Sequence, residues 1–401
     1  MAKKSMYFPM DEYERRWKKL DARMKTKGYD VALIWGKSAG TFERSMDIAY
    51  LTNFVSTHSG QEPDSALFSA RSFCGAIVEP GKPPELHTDE ADPRMAYIAT
   101  ENYHWHFHVI EGVADALNKR KIEGKVAFVG SDVLPVKYAE RLKALTPKIR
   151  YAYEDDLVRE LRRIKSPREL DMFREGGEIV SSALTKLIKK LITGKHTQGE
   201  AVAAALGELV TRGAWFQRVS MSTGTNSFHH EEHPWHGFIS DYTPKMGDLA
   251  HAFVYGPIYQ GYWLDPGRAF VIGRKPNPQQ KKLVEDCVRV MEEGIEAAVR
   301  HGVKVKDVAR NAKRIHNMVK TDESVIDTAW PYYGHSNGQL WEHPLIAEEA
   351  VSDSDIFEQG MVASSEVFLT RKGVGAAMME TNWIVTKSGI EKVTPLPMFW
   401  W

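Results

Sequence analysis

The chain has 401 residues, 43% of them hydrophobic and 26% charged, which excludes a disordered or fibrous protein and fits two or three globular domains. Lys+Arg and Asp+Glu both number 53, so a neutral chain presents no electrostatic footprint for nucleic acid or an anionic membrane. Cys74 and Cys287 are too few for a disulfide framework or a cysteine-built zinc module. The first residues lack the apolar core of a signal peptide, and no apolar run approaches the roughly 20 residues of a membrane helix, so a cytoplasmic location is expected.

In chain order, Glu12 to Lys27 reads as a helix and Asp30 to Trp35 as a buried strand. Ala76–Val78 and Val126–Val129 read as further strands, with Val113 to Lys121 helical between them, an alternation that predicts an α/β layered domain over 1–156. The stretch from His104 to His108 alternates histidine with aromatic residues, and strand periodicity would put His104, His106 and His108 on one face. At Ser166-Pro167-Arg168-Glu169 a capping box opens a long amphipathic helix carrying Leu170, Phe173, Val180, Leu184, Leu187 and Leu191. The second domain, 157–401, is taken to begin just before it. A second capping box at Thr197 and Glu200 precedes the run Ala201 to Arg212, and helical periodicity returns over Leu283 to Ala298 and Val308 to Val319. Strand-like stretches at 250–255, 261–264, 360–368 and 382–386 lie among these helices, which makes the second domain α+β.

Four separated places in this domain hold an acid or a histidine in an unusual setting. Asp265 ends an apolar stretch with Arg268 three residues on, a pattern open to an ion pair, a metal ligand or a plain Asp-Pro-Gly turn. His335 stands between small residues in a segment rich in aromatics, Glu366 sits inside an apolar strand, and Glu380 begins another. Carboxylates are seldom buried alone, and two on neighbouring strands repel unless a cation lies between them. Three carboxylates and an imidazole form one O₃N set suited to a divalent Mn, Fe, Co or Zn ion.

The order Gly261-Tyr262-x-x-Asp265-x-x-Arg268, Gly334-His335, Gly360-Met361-Val362-x-x-x-Glu366 and Glu380 resembles the creatinase/prolidase/methionine-aminopeptidase family of the pita-bread fold. The helix start at Arg163-Ile164-Lys165-Ser166-Pro167-x-Glu169 and the domain order resemble its creatinase–prolidase branch. The resemblance implies an α+β chain with a C-terminal pita-bread domain behind an α/β N-terminal domain, and a homodimer. It implies metal ligation by Asp265, His335, Glu366 and Glu380, with Glu366 also the general base. His236 is implied to face the substrate, and His343 to do so only loosely, because the family's His-Glu order is reversed here to Glu342-His343. His233, Trp235, Trp263, Tyr333, Trp341 and Arg268 are the further substrate-binding candidates, within a wider aromatic set that includes Trp330, Tyr332 and Trp383.

One departure is informative. Two-metal members carry a further Asp on the strand before Gly261, where this chain has no carboxylate: counting from Asp248 gives Phe253, and counting back from Asp265 gives Val254. The expectation is therefore a single-metal hydrolase of the Xaa-Pro peptidase or creatinase type, cleaving a C–N bond in a dipeptide or small amide. His251, two residues from Phe253 and on the same strand face, is open to a ligand or a core role. Three alternatives stand beside the hydrolase: a lyase, a metal-free creatinase-like hydrolase, and a non-catalytic binding protein. The lyase rests on similarity to the family's dimethylsulfoniopropionate lyase, which likewise lacks the usual proline after the third-motif Glu, and would take a small cationic or aromatic metabolite.

Overall fold

The computed structural model describes residues 6–37, 46–56, 63–225, 228–321, 324 and 332–401. They fall into two compact units, Met1–Arg162 and Arg163–Trp401.

The first unit is built on α1 (Met10–Lys27), β1 (Ala32–Lys37), α2 (Met46–Thr52), β2 (Phe73–Val78), β3 (Glu85–Thr88), β4 (Tyr103–Trp105), α3 (Val109–Lys119), β5 (Gly124–Val129), α4 (Val136–Leu145), β6 (Ile149–Tyr153) and α5 (Asp156–Arg162). Its strands form one mixed sheet in the order β4-β3-β2-β1-β5-β6. Apolar residues of β1 and β5 such as Leu33, Trp35, Val126 and Phe128 pack against Val113 and Leu117 of α3 and Leu142 of α4. The histidine alternation is only partly kept, because β4 ends at Trp105. His104 and His106 both lie beside the buried His87, with ring centroids 5.0 and 5.1 Å away and His106 Nε2 2.9 Å from His87 Nδ1, whereas His108 turns to Ser69 Oγ at 3.0 Å.

The second unit opens with α6 (Pro167–Leu191) and α7 (Gln198–Thr211), both started by the expected capping boxes. It continues through β7 (Arg218–Thr223), β8 (Leu249–Tyr259), β9 (Tyr262–Leu264), β10 (Gly267–Val271), α8 (Pro278–Arg289), α9 (Val305–Val319), β11 (His335–Asn337), β12 (Trp341–Leu345), β13 (Val362–Arg371), β14 (Gly375–Val385) and β15 (Ile390–Lys392). Asn277 and Gln280 form a third capping box, on α8. The helix expected to run to Ala298 leaves regular α-helical winding after Arg289, and Asn311 Nδ2 donates to the carbonyls of Glu293 and Gly294.

The strands of this unit form a sheet in the order β12-β11-β13-β14-β10-β8-β7, with β15 on β14 and β9 on β8. Successive side chains on a strand point to opposite faces. Ala363, Val367, Leu369, Ala377, Met379, Trp383 and Val385 accordingly join α8 and α9 in the main core. The intervening residues Ser364, Glu366 and Phe368 on β13, and Ala376, Met378, Glu380 and Asn382 on β14, lie on the other face. That alternation gives the sheet one apolar face for the helices and one mixed face for chemistry.

Candidate metal centre

Direct cross-strand partners share a sheet face. Glu366 pairs with Glu380, Glu380 with Gly267, Gly267 with Phe253, and Phe253 with Ser220. One row across five strands therefore carries both glutamates and Phe253. Val254 pairs with Val219 on the opposite face, so Phe253 is the residue that occupies the acid's place. Its ring lies over Gly267, where a Cβ would come within 2.1 Å of Phe253 Cε1. Phe253 also meets Phe368, with centroids 5.8 Å apart, in a small apolar cluster with Ala376 and Met378.

Asp265 reaches the same place from the link between β9 and β10, after Gln260 and Gly261, at φ 53° and 80°, have turned the β8–β9 hairpin. His335 arrives from β11. Ligand atoms of Asp265, His335 and Glu380 all lie within 4.8 Å of one another, and all three residues are buried. His335 Nε2 is 3.3 Å from Asp265 Oδ2 and 3.5 Å from Glu380 Oε1, without the alignment of a good hydrogen bond. Glu366 stands opposite Glu380, and its carboxylate accepts from the Tyr332 phenol. His335 Nε2, Glu366 Oε2 and Glu380 Oε1 are buried with no hydrogen-bond partner among the described residues.

The electrostatics follow from burying like charges together. Burial raises Glu366 to about 8, with Asp265 adding to the shift against the pull of His335 and Tyr332. Burial, Asp265 and Glu366 push Glu380 well above the usual carboxylate range. Burial opposes charge on Asp265 too, but His335 and its hydrogen-bond donors outweigh it and hold that carboxyl low. Burial works against a charged His335, and the Asp265 carboxylate reverses the balance upward. Among the described residues no Lys or Arg forms an ion pair with the side chains of Asp265, Glu366 or Glu380. The donor set, with three orphaned buried atoms turned inward, fits a divalent ion.

Metallopeptidase family M24 matches residues 171–387, and the creatinase/prolidase N-terminal domain matches residues 16–164.

The chain belongs to metallopeptidase family M24.

It is an M24 metallohydrolase by that membership, and the family carries a divalent metal dependence with it. It is 26% identical over 280 residues to the Xaa-Pro dipeptidase of Pyrococcus horikoshii, covering 69% of this chain and 75% of that one. Identity to the Xaa-Pro dipeptidase of Pyrococcus furiosus is 24% over 358 residues, covering 88% and 94%. Solved structures share the fold. The prolidase from P. horikoshii superposes with a TM-score of 0.74 at 21% identity, over 96% of this chain and 99% of that one. The X-Pro aminopeptidase from Thermotoga maritima superposes with 0.77 at 20% identity, over 96% and 98%. The pita-bread domain behind an α/β N-terminal domain is thus the architecture of this M24 chain.

The other expected site residues scatter. Trp341 stacks on His335 with centroids 4.1 Å apart and makes edge-to-face contacts with Trp263 and Tyr332. Trp263 is buried, and its Nε1 donates to Asp265 Oδ2 at 2.6 Å, so it serves a candidate ligand and not an open pocket. Arg268, expected at the substrate, is fully buried and donates to the carbonyls of Gly267, Glu380, Leu396 and Pro397. Tyr333 is half-buried against the main core and bonds His316 Nδ1 at 3.0 Å. His233 and His236 stack on one another at 4.9 Å in a surface loop whose Trp235 is 84% exposed. His343 is exposed beside Asp355 at 3.4 Å, while its neighbour Glu342 is buried against Lys165 Nζ at 2.8 Å. Trp383 is core, and Trp330 lies outside the described residues.

Some residues of the centre escaped sequence reasoning. His230, not His233 or His236, is the histidine of its loop that meets the row, 4.6 Å from Phe253, 5.3 Å from Phe368 and 6.4 Å from the ring of His251. Asn337 and Asn382 both donate to Asp265 Oδ1, at 3.2 and 2.5 Å. Each stands two residues beyond a recognised candidate, His335 or Glu380, so strand periodicity was the signal that could have found them.

Proposed function

We propose that this M24 chain is a metal-dependent dipeptidase of the Xaa-Pro type, working with one divalent ion held by Asp265, His335, Glu366 and Glu380. The observation that carries the reading is the buried convergence of Asp265, His335 and Glu380, with Glu366 directly across from Glu380. The names of the Pyrococcus relatives support the dipeptide substrate. Phe253 in the fifth carboxylate's place, its ring over Gly267, supports a single ion.

A divalent ion bound there supplies Lewis acidity toward the scissile carbonyl. The chain's own groups supply the rest. Glu366, buried and bonded by Tyr332, is the group placed to hold and return a proton. Trp341 covers one side of His335 and excludes water there. His236 and His343, exposed in this structure, enter the reading as substrate-facing groups that hydrogen-bond the peptide. The homodimer belongs to the same reading through the family resemblance, and sedimentation checks it.

The test is proline release from a panel of Xaa-Pro dipeptides by the Mn²⁺-supplemented protein, with and without chelator. Chelator-sensitive cleavage is expected; cleavage indifferent to chelator contradicts the reading. The aromatic surroundings favour one second reading, a hydrolase or lyase for a small cationic metabolite. Tyr255, Trp263, Trp341 and Tyr332 form, in that order, a chain of rings with successive centroids 6.1–6.3 Å apart beside the acidic cluster. Turnover of quaternary ammonium or sulfonium compounds, with no dipeptide cleavage, decides for it.

A further inference from the structure

Asp265 has little of its carboxylate left to give. Oδ1 accepts from Asn382 Nδ2 and Asn337 Nδ2, and Oδ2 accepts from Trp263 Nε1. The backbone N–H of Asp265 donates back to Asn382 Oδ1 at 3.2 Å, so Asn382 grips the residue at two points. An ionised carboxylate offers about four lone-pair positions. Three are occupied by N–H donors, and the remaining one belongs to Oδ2, the oxygen 3.3 Å from His335 Nε2.

We propose that Asn337 and Asn382 close Oδ1 while Trp263 holds Oδ2, making Asp265 a one-oxygen ligand for one ion, so that these donors and Phe253 together restrict the centre to a single metal. The inference rests on the single-ion reading above and assigns the device behind it. A carboxylate shared between two ions must turn one oxygen to each, and here Oδ1 has no lone pair free. The indole cannot readily swing aside. It is 4% exposed, its backbone N–H donates to Gly338 O at 2.8 Å, and β9 holds it opposite Pro257 on β8. Trp263 is thus a positioning residue acting through Asp265. Phe253 blocks the second place sterically, and the donors around Asp265 block it electronically. Restoring a carboxylate at Phe253 alone leaves the second block in force.

The experiment is calorimetric titration of the metal-free full chain with Mn²⁺, read in parallel by electron paramagnetic resonance. The wild type and Phe253→Asp should each bind one ion with an uncoupled spectrum. Phe253→Asp combined with Asn337→Ala, which frees a lone pair on Oδ1, should bind two, with an exchange-coupled spectrum. Trp263→Phe alone should lower Mn²⁺ affinity about 10–100-fold and alter the line shape, a readout that simple loss of packing does not move. If the double variant does not fold, this single variant decides. A second ion in Phe253→Asp alone, or unchanged affinity and line shape in Trp263→Phe, overturns the role of these donors while the single-ion reading stands. Two ions in the wild type remove the reading itself.

Discussion

Arg268 directs its guanidinium at main-chain carbonyls from β10, β14 and the C-terminal segment, which makes it a strut behind the centre. Arg268→Met is expected to destabilise by on the order of 1–3 kcal/mol per stranded buried carbonyl, measured by urea unfolding, with KM of the folded fraction unchanged. Raised KM at unchanged stability contradicts this and restores the substrate role. Glu366→Gln, which keeps size but cannot accept a proton, should lower turnover about 10²–10⁴-fold with little change in melting temperature. The single letters were legible where physics penalises them. A glutamate inside an apolar strand demands a partner, and Glu366 and Glu380 both face the cluster. Arg268, Trp263 and Tyr333 misled because an isolated polar or aromatic residue does not reveal which neighbours will satisfy it.

At the scale of elements, the two-residue period of β13 and β14 separates core from chemistry. The strand stretches read from the sequence fell on these elements, but their starts and ends did not: β14 begins at Gly375, and apolar Ala376 to Met379 ahead of Glu380 offered no polar alternation to mark it. Strand pairing was the larger hidden variable. Counting along the chain left Phe253 and Val254 equal, and only the register Gly267 to Phe253 places the phenylalanine beside Glu380. This packing predicts coupling. Gly267→Ala should overpack the Phe253 ring and destabilise by about 1–3 kcal/mol, whereas Phe253→Ala leaves a cavity worth about 3–5 kcal/mol. In a double-mutant cycle the alanine at 267 should cost clearly less in the Phe253→Ala background. Strict additivity contradicts the contact.

For the whole molecule, family M24 and its two-part architecture were legible because caps, periodicity and four spaced motifs agreed with one another. The histidine chemistry of both units was not, since it depends on burial. Burial holds His87 at about 3 and, with its histidine neighbours, His106 at about 4 in the first unit. It holds His230 at about 3 and His251 at about 4 in the second. Unfolded chains bind protons at these sites from the ordinary value of 6.5 downward, and the folded units do not. Stability from neutral histidine is therefore complete above that value and lost as pH falls toward the folded values. Glu366 and Glu380 act in the opposite direction in the metal-free protein, so the histidine contribution reads out as a difference. His251→Gln should lose less stability on acidification than the wild type, and parallel curves contradict the assignment.

The account turns on one cation gathered by residues from four distant segments. Anomalous diffraction at the manganese edge from Mn²⁺-soaked crystals tests it most directly. One peak per chain, bounded by Asp265, His335, Glu366 and Glu380, is the expected result. A second peak beside Phe253, or no peak among these four side chains, contradicts it.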